Sequence, residues 1–316
     1  MATTTSITTT YAGEFAGKYI AAALLSSKTL EDGAIEIKPN VKYKEVIKKV
    51  ATDSNVIKNA TCDFTDTATI TLTERILQPE EFQVNLELCK KDFVSDWEAV
   101  QMGYSAYSDL PPAFSDFLIG HVAGLVAEKN EQNIWGGVNA TAGEFDGFTV
   151  LMTADSDVND AVNTGITSFT SSNIITALGN VVDALPSAVY GKEDLTIYVP
   201  TAAFQAYVRA LGGFGASGLG AAGVNAQGTQ WYNMGNALAF EGIKVQLTPG
   251  MPADHIVAAQ KSNLYFGTGL LSDHQLVKLI DMADLDGSQN VRVIMRFTAG
   301  VQYGIGSDIA LFTLAS

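Results

Sequence analysis

Cysteine is almost missing from this chain. Cys62 and Cys89 are the only two in 316 residues, too few and too far apart for a metal site or a redox CxxC pair. The expectation is two buried free thiols kept reduced by cytoplasmic glutathione, with a cross-link formed after release from a cell as the alternative. Histidine is scarce as well: His121, His255 and His274 share no ligand spacing, so no metal and no cofactor is expected and they read as structural or surface residues. Long apolar runs are lacking too. Although 47% of residues are hydrophobic and only 17% charged, no run approaches the ~20 apolar residues a membrane span needs, and a soluble chain without a membrane partner is expected. Residues 1–10 are threonine-rich, with neither a basic cluster nor an apolar centre, so no secretion signal or presequence is read there and a cytoplasm is the expected place of synthesis.

Positive charge is in deficit. Lys and Arg number 19 against 34 Asp and Glu, a net charge of −15, which opposes binding to nucleic acid through phosphates because that requires clustered cations. Six lysines nonetheless fall between Glu36 and Lys58: Lys38, Lys42, Lys44, Lys48, Lys49 and Lys58. This basic island has two readings. It is a solvated hairpin whose lysines blunt an exposed edge, or a protruding arm whose charge complements an acidic copy of the same protein.

Among the features that are present, the longest is a stretch from Asp109 to Gly137. Ser108 and Asp109 can cap a first turn, Pro111 and Pro112 sit where no amide donor is needed, and Gly136 and Gly137 release the chain. Phe114, Phe117, Leu118, Val122, Leu125 and Val126 recur at three and four. About 25 helical residues at roughly 1.5 Å each give a rod of about 38 Å. Its polar C-terminal half, Glu128 to Asn133, reads as solvated surface, and its apolar stripe is expected to lie on a sheet that includes residues 82–89 and 290–314.

Residues 1–33 read as an N-terminal arm with a short amphipathic helix carrying Phe15, Tyr19, Ile20, Ala23 and Leu24, contacts for something outside the arm. From 34 to 77 the period becomes two, with Ile35, Ile37, Val46, Val50, Ile70 and Leu72 among lysines and threonines. Two strands joined around Asp53 to Asn55 would make a long hairpin, polar on both faces. Phe82 to Cys89 alternates strictly and predicts a strand; Phe145 to Met152 is expected to be another. Residues 171–184 and the run after Thr201 predict helices, with a buried strand at Leu195 to Val199 between them. The C-terminal third returns to strands at 243–247, 256–259, 264–266, 276–282, 290–304 and 309–314. The length favours about two domains, interwoven because no low-complexity linker or internal repeat separates them.

Gly213-Phe214-Gly215-Ala216-Ser217-Gly218 matches GxGxxG formally. The chemistry of that motif needs a strand before it and a helix N-terminus after it, facing a pyrophosphate. Here a helix precedes and more glycine follows, so Gly213, Gly215 and Gly218 are read as a flexible loop.

The order of these features resembles the major capsid protein of tailed bacteriophages, the Hong Kong 97-like fold. The resemblance runs over nearly the whole chain. It is carried by the arm, the two-stranded loop and the long helix ending in Glu128, Glu131, Ile134, Trp135 and Gly136. It continues in Tyr198, Val199, Pro200, Thr201 and Phe204, and in Gly242, Ile243, Val245, Ala258, Ala259, Ser262 to Leu264, Phe266 to Thr268, Leu270, Asp273, Arg292, Arg296 and Phe297. What it implies is an α+β protein of four regions. These are an N-terminal arm at 1–33, an extended loop at 34–77, a peripheral domain at 78–164 and 286–316 with a spine helix at 109–137, and an axial domain at 165–285.

The resemblance further implies self-assembly into pentamers and hexamers of an icosahedral phage head that encloses double-stranded DNA without reading its sequence. Lys42, Lys44, Lys48, Lys49 and Lys58 would then contact a neighbouring subunit, Phe15, Tyr19 and Leu24 would serve the arm, Gly213, Gly215 and Gly218 would lie near the ring axis, and Glu128 to Asn133 would belong to an inner face that keeps packaged DNA at a distance. No catalytic residue is carried over, and no local motif marks a partner for a lysine–asparagine cross-link. Because Met1 leads almost directly into the arm, a separate scaffolding protein is expected, with a portal and decoration proteins as further partners, assembly in a host cytoplasm and residence in the virion. An encapsulin-type compartment shell is the alternative of the same fold, and a dinucleotide-binding oxidoreductase using the 213–218 glycines is the alternative of a different class.

Overall fold

The computed structural model describes residues 28–52, 57, 59, 68–89, 112–212, 238–269, 278–283 and 287–315. The chain forms two compact units. The smaller takes the described residues of 83–126 and 272–296, and the larger those of 25–82, 127–271 and 297–316.

The larger unit is organised by β6 (Leu195–Val199), a leucine followed by β-branched and aromatic residues, buried at every position. A strand of this kind needs cover on both faces. It pairs in parallel with β8 (Ile243–Leu247) and antiparallel with β9 (His255–Gln260). The sheet continues outward through β13 (Ala310–Thr313) to the short β5 (Asn159–Asp160) on one side, and to β7 (Ala239–Phe240) on the other. Leu195, Ile197 and Val199 point into a cluster with Ile174, Ala177, Leu178 and Val181 of a helix at Ile174–Asp183, and with Ala203, Ala206 and Tyr207 of one at Thr201–Gly212. The spacing of three and four along the first helix gives it one apolar face, and that face is the buried one.

The opposite face of β6 is covered differently. Tyr198 lies 5.1 Å, ring centre to ring centre, from Trp135, whose ring is 5.5 Å from Phe148. Trp135 closes the long helix, Pro112–Gly136, which is the rod read from the sequence. Phe148 begins a short helix, Phe148–Thr153, where a strand was expected. The reason for that correction is local. Thr149 Oγ1 donates to the Trp135 carbonyl at 2.7 Å, folding the chain back on the end of the rod, and Phe148 and Met152 are buried four residues apart, as on a helix.

A second correction concerns the rod itself. Its polar C-terminal run is only partly solvated: Lys129 and Gln132 are exposed, but Asn130, Glu131 and Asn133 are buried with Ile134 and Trp135, and Leu125 of the apolar stripe is exposed. Phe114, Phe117 and Leu118 have side chains outside the described residues. Val122 is buried.

The remaining strands share β12 (Asn290–Tyr303). In the larger unit its second half pairs antiparallel with β10 (Leu264–Gly267), and β10 pairs in parallel with β1 (Glu36–Lys38). In the smaller unit its first half pairs with β11 (Lys278–Asp281). There Arg292 Nε and Asn290 Nδ2 both donate to the Glu87 carboxylate of β4 (Glu80–Cys89), at 2.9 and 2.7 Å. Among the described residues no helix is long and apolar enough to cross a membrane, and no group of His, Cys, Asp and Glu could hold a metal ion.

Candidate functional site

The feature that sets this body apart is the two-stranded sheet of β2 (Glu45–Thr52) and β3 (Ile70–Leu77). Its register pairs Val46 with Ile76, Lys48 with Glu74 and Val50 with Leu72. Because successive side chains alternate between faces, this register gathers Val46, Val50, Leu72 and Ile76 on one face around the Lys48–Glu74 pair. All four are exposed, Val50 at 65% and Leu72 at 74%. The hairpin is therefore not polar on both faces as expected. Lysines in β2 and threonine, glutamate and arginine in β3 masked the pattern in each strand, and only the pairing brings the apolar positions together.

The other face turns toward the body. Glu45, Ile47, Lys49 and Arg75 are half-buried and Leu77 is fully buried. Lys38 pairs with Glu45 at 2.6 Å, and Gln302 Nε2 donates to the Ile76 carbonyl at 3.2 Å. Arg75 stacks on Tyr303, guanidinium carbon 4.5 Å from the ring centre, and is ion-paired with Asp155 and, at 3.9 Å, with Asp157. Burial opposes the charge of Asp155. Hydrogen bonds from the Asp157 amide, the Tyr303 hydroxyl and Arg75 outweigh it and hold the carboxyl below its ordinary range. Burial, reinforced by the bond to Asp155, pushes the Tyr303 phenol up.

The lysines singled out by the sequence divide between these faces. Lys48 lies on the apolar face, Lys49 on the half-buried face, and Lys42 and Lys44 are exposed just before β2, Lys44 sitting over the Tyr43 ring at 5.3 Å. Lys58 lies outside the described residues, as do Phe15, Tyr19 and Leu24 of the arm, Gly213, Gly215 and Gly218 of the glycine-rich stretch, Cys62 and His274. Cys89 is a free thiol, and His255 Nδ1 is 2.7 Å from the carboxylate of Asp254. The helix Thr201–Gly212 runs directly into the glycines, which is the opposite of what a pyrophosphate cradle requires.

Sequence reasoning missed a second polar site, at the foot of the rod. Glu131, with no exposed surface, accepts hydrogen bonds from the amide and hydroxyl of Thr29 at 3.0 and 2.5 Å. Thr29 belongs to a single helical turn, Lys28–Glu31. The Thr29 hydroxyl in turn accepts from Trp135 Nε1 at 2.9 Å. Since an indole only donates, the Thr29 proton must point at the carboxylate. Gly250 adds its amide and lies so close that a Cβ there would be 2.1 Å from the Glu131 carbonyl oxygen. Burial nonetheless pushes the Glu131 carboxyl up, with Asp32 adding to the shift and the bonds from Thr29 and Gly250 opposing it. The signal was in helical phase: Glu131 is four residues before Trp135 and shares its face.

No family model matches the sequence, and no curated protein matches it. The fold does have solved relatives. The capsid of a native GTA particle covers 94% of this chain and 93% of its own, at TM-score 0.64 and 13% identity. A structure of Gordonia phage Cozz covers 97% and 92%, at 0.59 and 11%. The capsid of Myoviridae phage XM1 covers 94% and 95%, at 0.57 and 12%. The α+β fold is Hong Kong 97-like, over nearly the whole chain.

Proposed function

We propose that this chain is the major capsid protein of a tailed phage, a non-enzymatic subunit that assembles into the pentamers and hexamers of an icosahedral head enclosing double-stranded DNA. The observation that carries the reading is the hairpin. A body that has closed its own core presents two strands with an apolar face left open, and a second copy is the partner that a self-assembling shell supplies. The rim of that face carries Lys42 and Lys44 on a subunit of net charge −15, so a neighbouring copy offers the complementary sign. The same acidity keeps the subunit from adhering to the packaged DNA.

In this reading the head is assembled in a host cytoplasm with a separate scaffolding protein and a portal, and decoration proteins can follow. Phe15, Tyr19 and Leu24 dock the arm, and Gly213, Gly215 and Gly218 lie near the ring axis, where five and six copies must both fit and glycine's conformational freedom is an advantage.

Electron microscopy of the full chain, expressed alone and with its scaffolding partner, tests this. Closed shells are expected. The double variant Val50→Asp with Leu72→Asp should remain folded and form none. Dispersed, monodisperse parent protein under every condition would overturn the reading.

A further inference from the structure

The helix at Ile174–Asp183 turns Ile174, Ala177, Leu178, Val181 and Val182 into the core. Its outer side is unlike a helix face that meets only water, where charged residues ordinarily collect. Ile175 is 49% exposed, Thr176 is exposed beside it, and Gly179 follows one turn later. Gly179 has no reason inside the subunit. Its backbone is helical, a conformation in which only proline is less favourable than glycine, and a Cβ there would meet no atom within 4 Å. The loop before the helix extends this surface. Asn180 Nδ2 donates to the Val162 carbonyl at 2.8 Å and so holds Val162, 71% exposed, alongside the helix. Asn163 Oδ1 accepts from the amides of Gly165 and Ile166 at 2.9 and 2.7 Å. Asn173 accepts from the Thr170 amide and donates to the Ser168 carbonyl, both at 2.8 Å. These side-chain amides fix the loop before any partner arrives. Residues 161–182 contain no Asp, Glu, Lys, Arg or His, the longest such run among the described residues, in a chain of net charge −15.

We propose that this neutral face, formed by Val162, Ile175, Thr176 and Gly179, is a contact surface for a second copy of the chain, separate from the hairpin. Charge selects the occupant. Copies that each carry −15 repel wherever their acidic surfaces meet, and like charges opposed across an interface are strongly unfavourable. A face without charge lets two of them come together. A basic partner or a nucleic acid would find no charge here to pair with. Val162 and Ile175 supply apolar area where charged residues are absent, the composition of an interface centre. Gly179 leaves room for a neighbour's backbone to approach the helix closely, and the fixed loop lowers the entropy lost on association. The occupant is taken from the capsid reading, whereas the neutrality of the face and the open space at Gly179 belong to the single subunit.

The test uses the full chain in a Cys62→Ser, Cys89→Ser background, with Val162→Cys or Ile175→Cys as the single thiol. Each should react with a maleimide at the rate of an exposed thiol when the chain is dispersed, and at least tenfold more slowly once copies have associated. Two further variants separate the contact from the fold. Gly179→Ala should raise the thermal midpoint of the dispersed subunit, since the helix gains and nothing is in the way, yet slow association in light scattering. Thr176→Glu should leave the midpoint in place and slow association severalfold at low salt, with partial recovery at high salt. Full maleimide reactivity in associated copies would overturn the inference, and so would Gly179→Ala associating at the parent's rate. Association without closed heads but with Ile175→Cys protected would count against the capsid reading and leave this face standing. Closed heads in which Ile175→Cys reacts at the full rate would do the reverse, and a parent that never associates would overturn both.

Discussion

β6 and the β2–β3 hairpin belong to the same unit and are rich in the same residue types, yet they end in opposite conditions. β6 buries every side chain, its odd positions against two helices and Tyr198 against Trp135. The hairpin closes one face on the body and leaves Val46, Val50, Leu72 and Ile76 in water. Burial of apolar surface is worth about 25 cal/mol per Å², so the body has already gained what its sequence can supply. On the proposed capsid reading, the hairpin holds its gain in reserve for a partner. A subunit divided in this way can be folded and stable alone while still being driven to associate.

The comparison breaks most directly by truncating one large side chain on each side of it. Trp135→Ala should cost about 3–5 kcal/mol of folding stability in a denaturant titration, because it removes a fully buried ring and leaves a cavity. Leu72→Ala, on the open face, should change stability by no more than about 0.5 kcal/mol while lowering the yield of assembled particles. Equal folding costs would mean that the hairpin face is covered within the subunit.

Next in size is the carboxylate under the rod. Glu131→Gln keeps the shape but turns an amide donor toward the donors of Thr29 and Gly250, so it should cost about 1–3 kcal/mol. The loss should be local, seen as faster hydrogen exchange at the Thr29 amide before any change in β9. This site also marks where sequence reading stopped. The long helix, β6, the helix at Thr201–Gly212 and the alternation of β12 were legible because their apolar residues recur with the period of the element itself. The Glu131 site was not, since a charged residue in a polar run reads as surface unless its phase with Trp135 is weighed. The short helix at Phe148 failed for a related reason: its fold is imposed by the carbonyl of Trp135. The open face of the hairpin depended on register, which pairs Val46 with Ile76 and Val50 with Leu72, residues far apart in sequence, and leaves no mark in either strand by itself.

Smaller effects, of opposite sign, are expected from pH. Glu131 has a carboxyl raised above its ordinary 4.5, with Asp32 the charge facing it. The folded site therefore binds a proton more readily than the unfolded chain, and acidification from neutrality toward the raised value should tighten the Lys28–Glu31 turn. Asp155 is held below its ordinary 3.8 by groups that include Arg75 and Tyr303. Its contribution is complete above that value and is lost only as pH falls through the depressed one. At mildly acidic pH, protection factors for the Thr29 and Gly250 amides should rise while that of the Asp157 amide stays constant. A fall at Thr29 over the same range would show that its bonds to the carboxylate outweigh the cost of burying the charge.

The smallest expected effect separates the two ways a copy can be attracted to the hairpin. Reversing Lys44, Lys48 and Lys49 to glutamate tests the basic island, but its members do not act together: Lys48 faces Glu74 across the register, Lys49 is half-buried on the body side, and only Lys44 is free to meet a neighbour at the rim. Exposed ion pairs contribute about 0.2–1 kcal/mol each, and the Debye length falls from about 8 Å at 0.15 M salt to about 3 Å at 1 M. The triple variant should therefore assemble more slowly than the parent at low salt and approach it at high salt, as read by light scattering. Val50→Asp should remain defective at both, because its lost contact is apolar and is not screened. If the lysine variant were instead the more defective of the two at high salt, the apolar face would be incidental and charge would be what brings the subunits together.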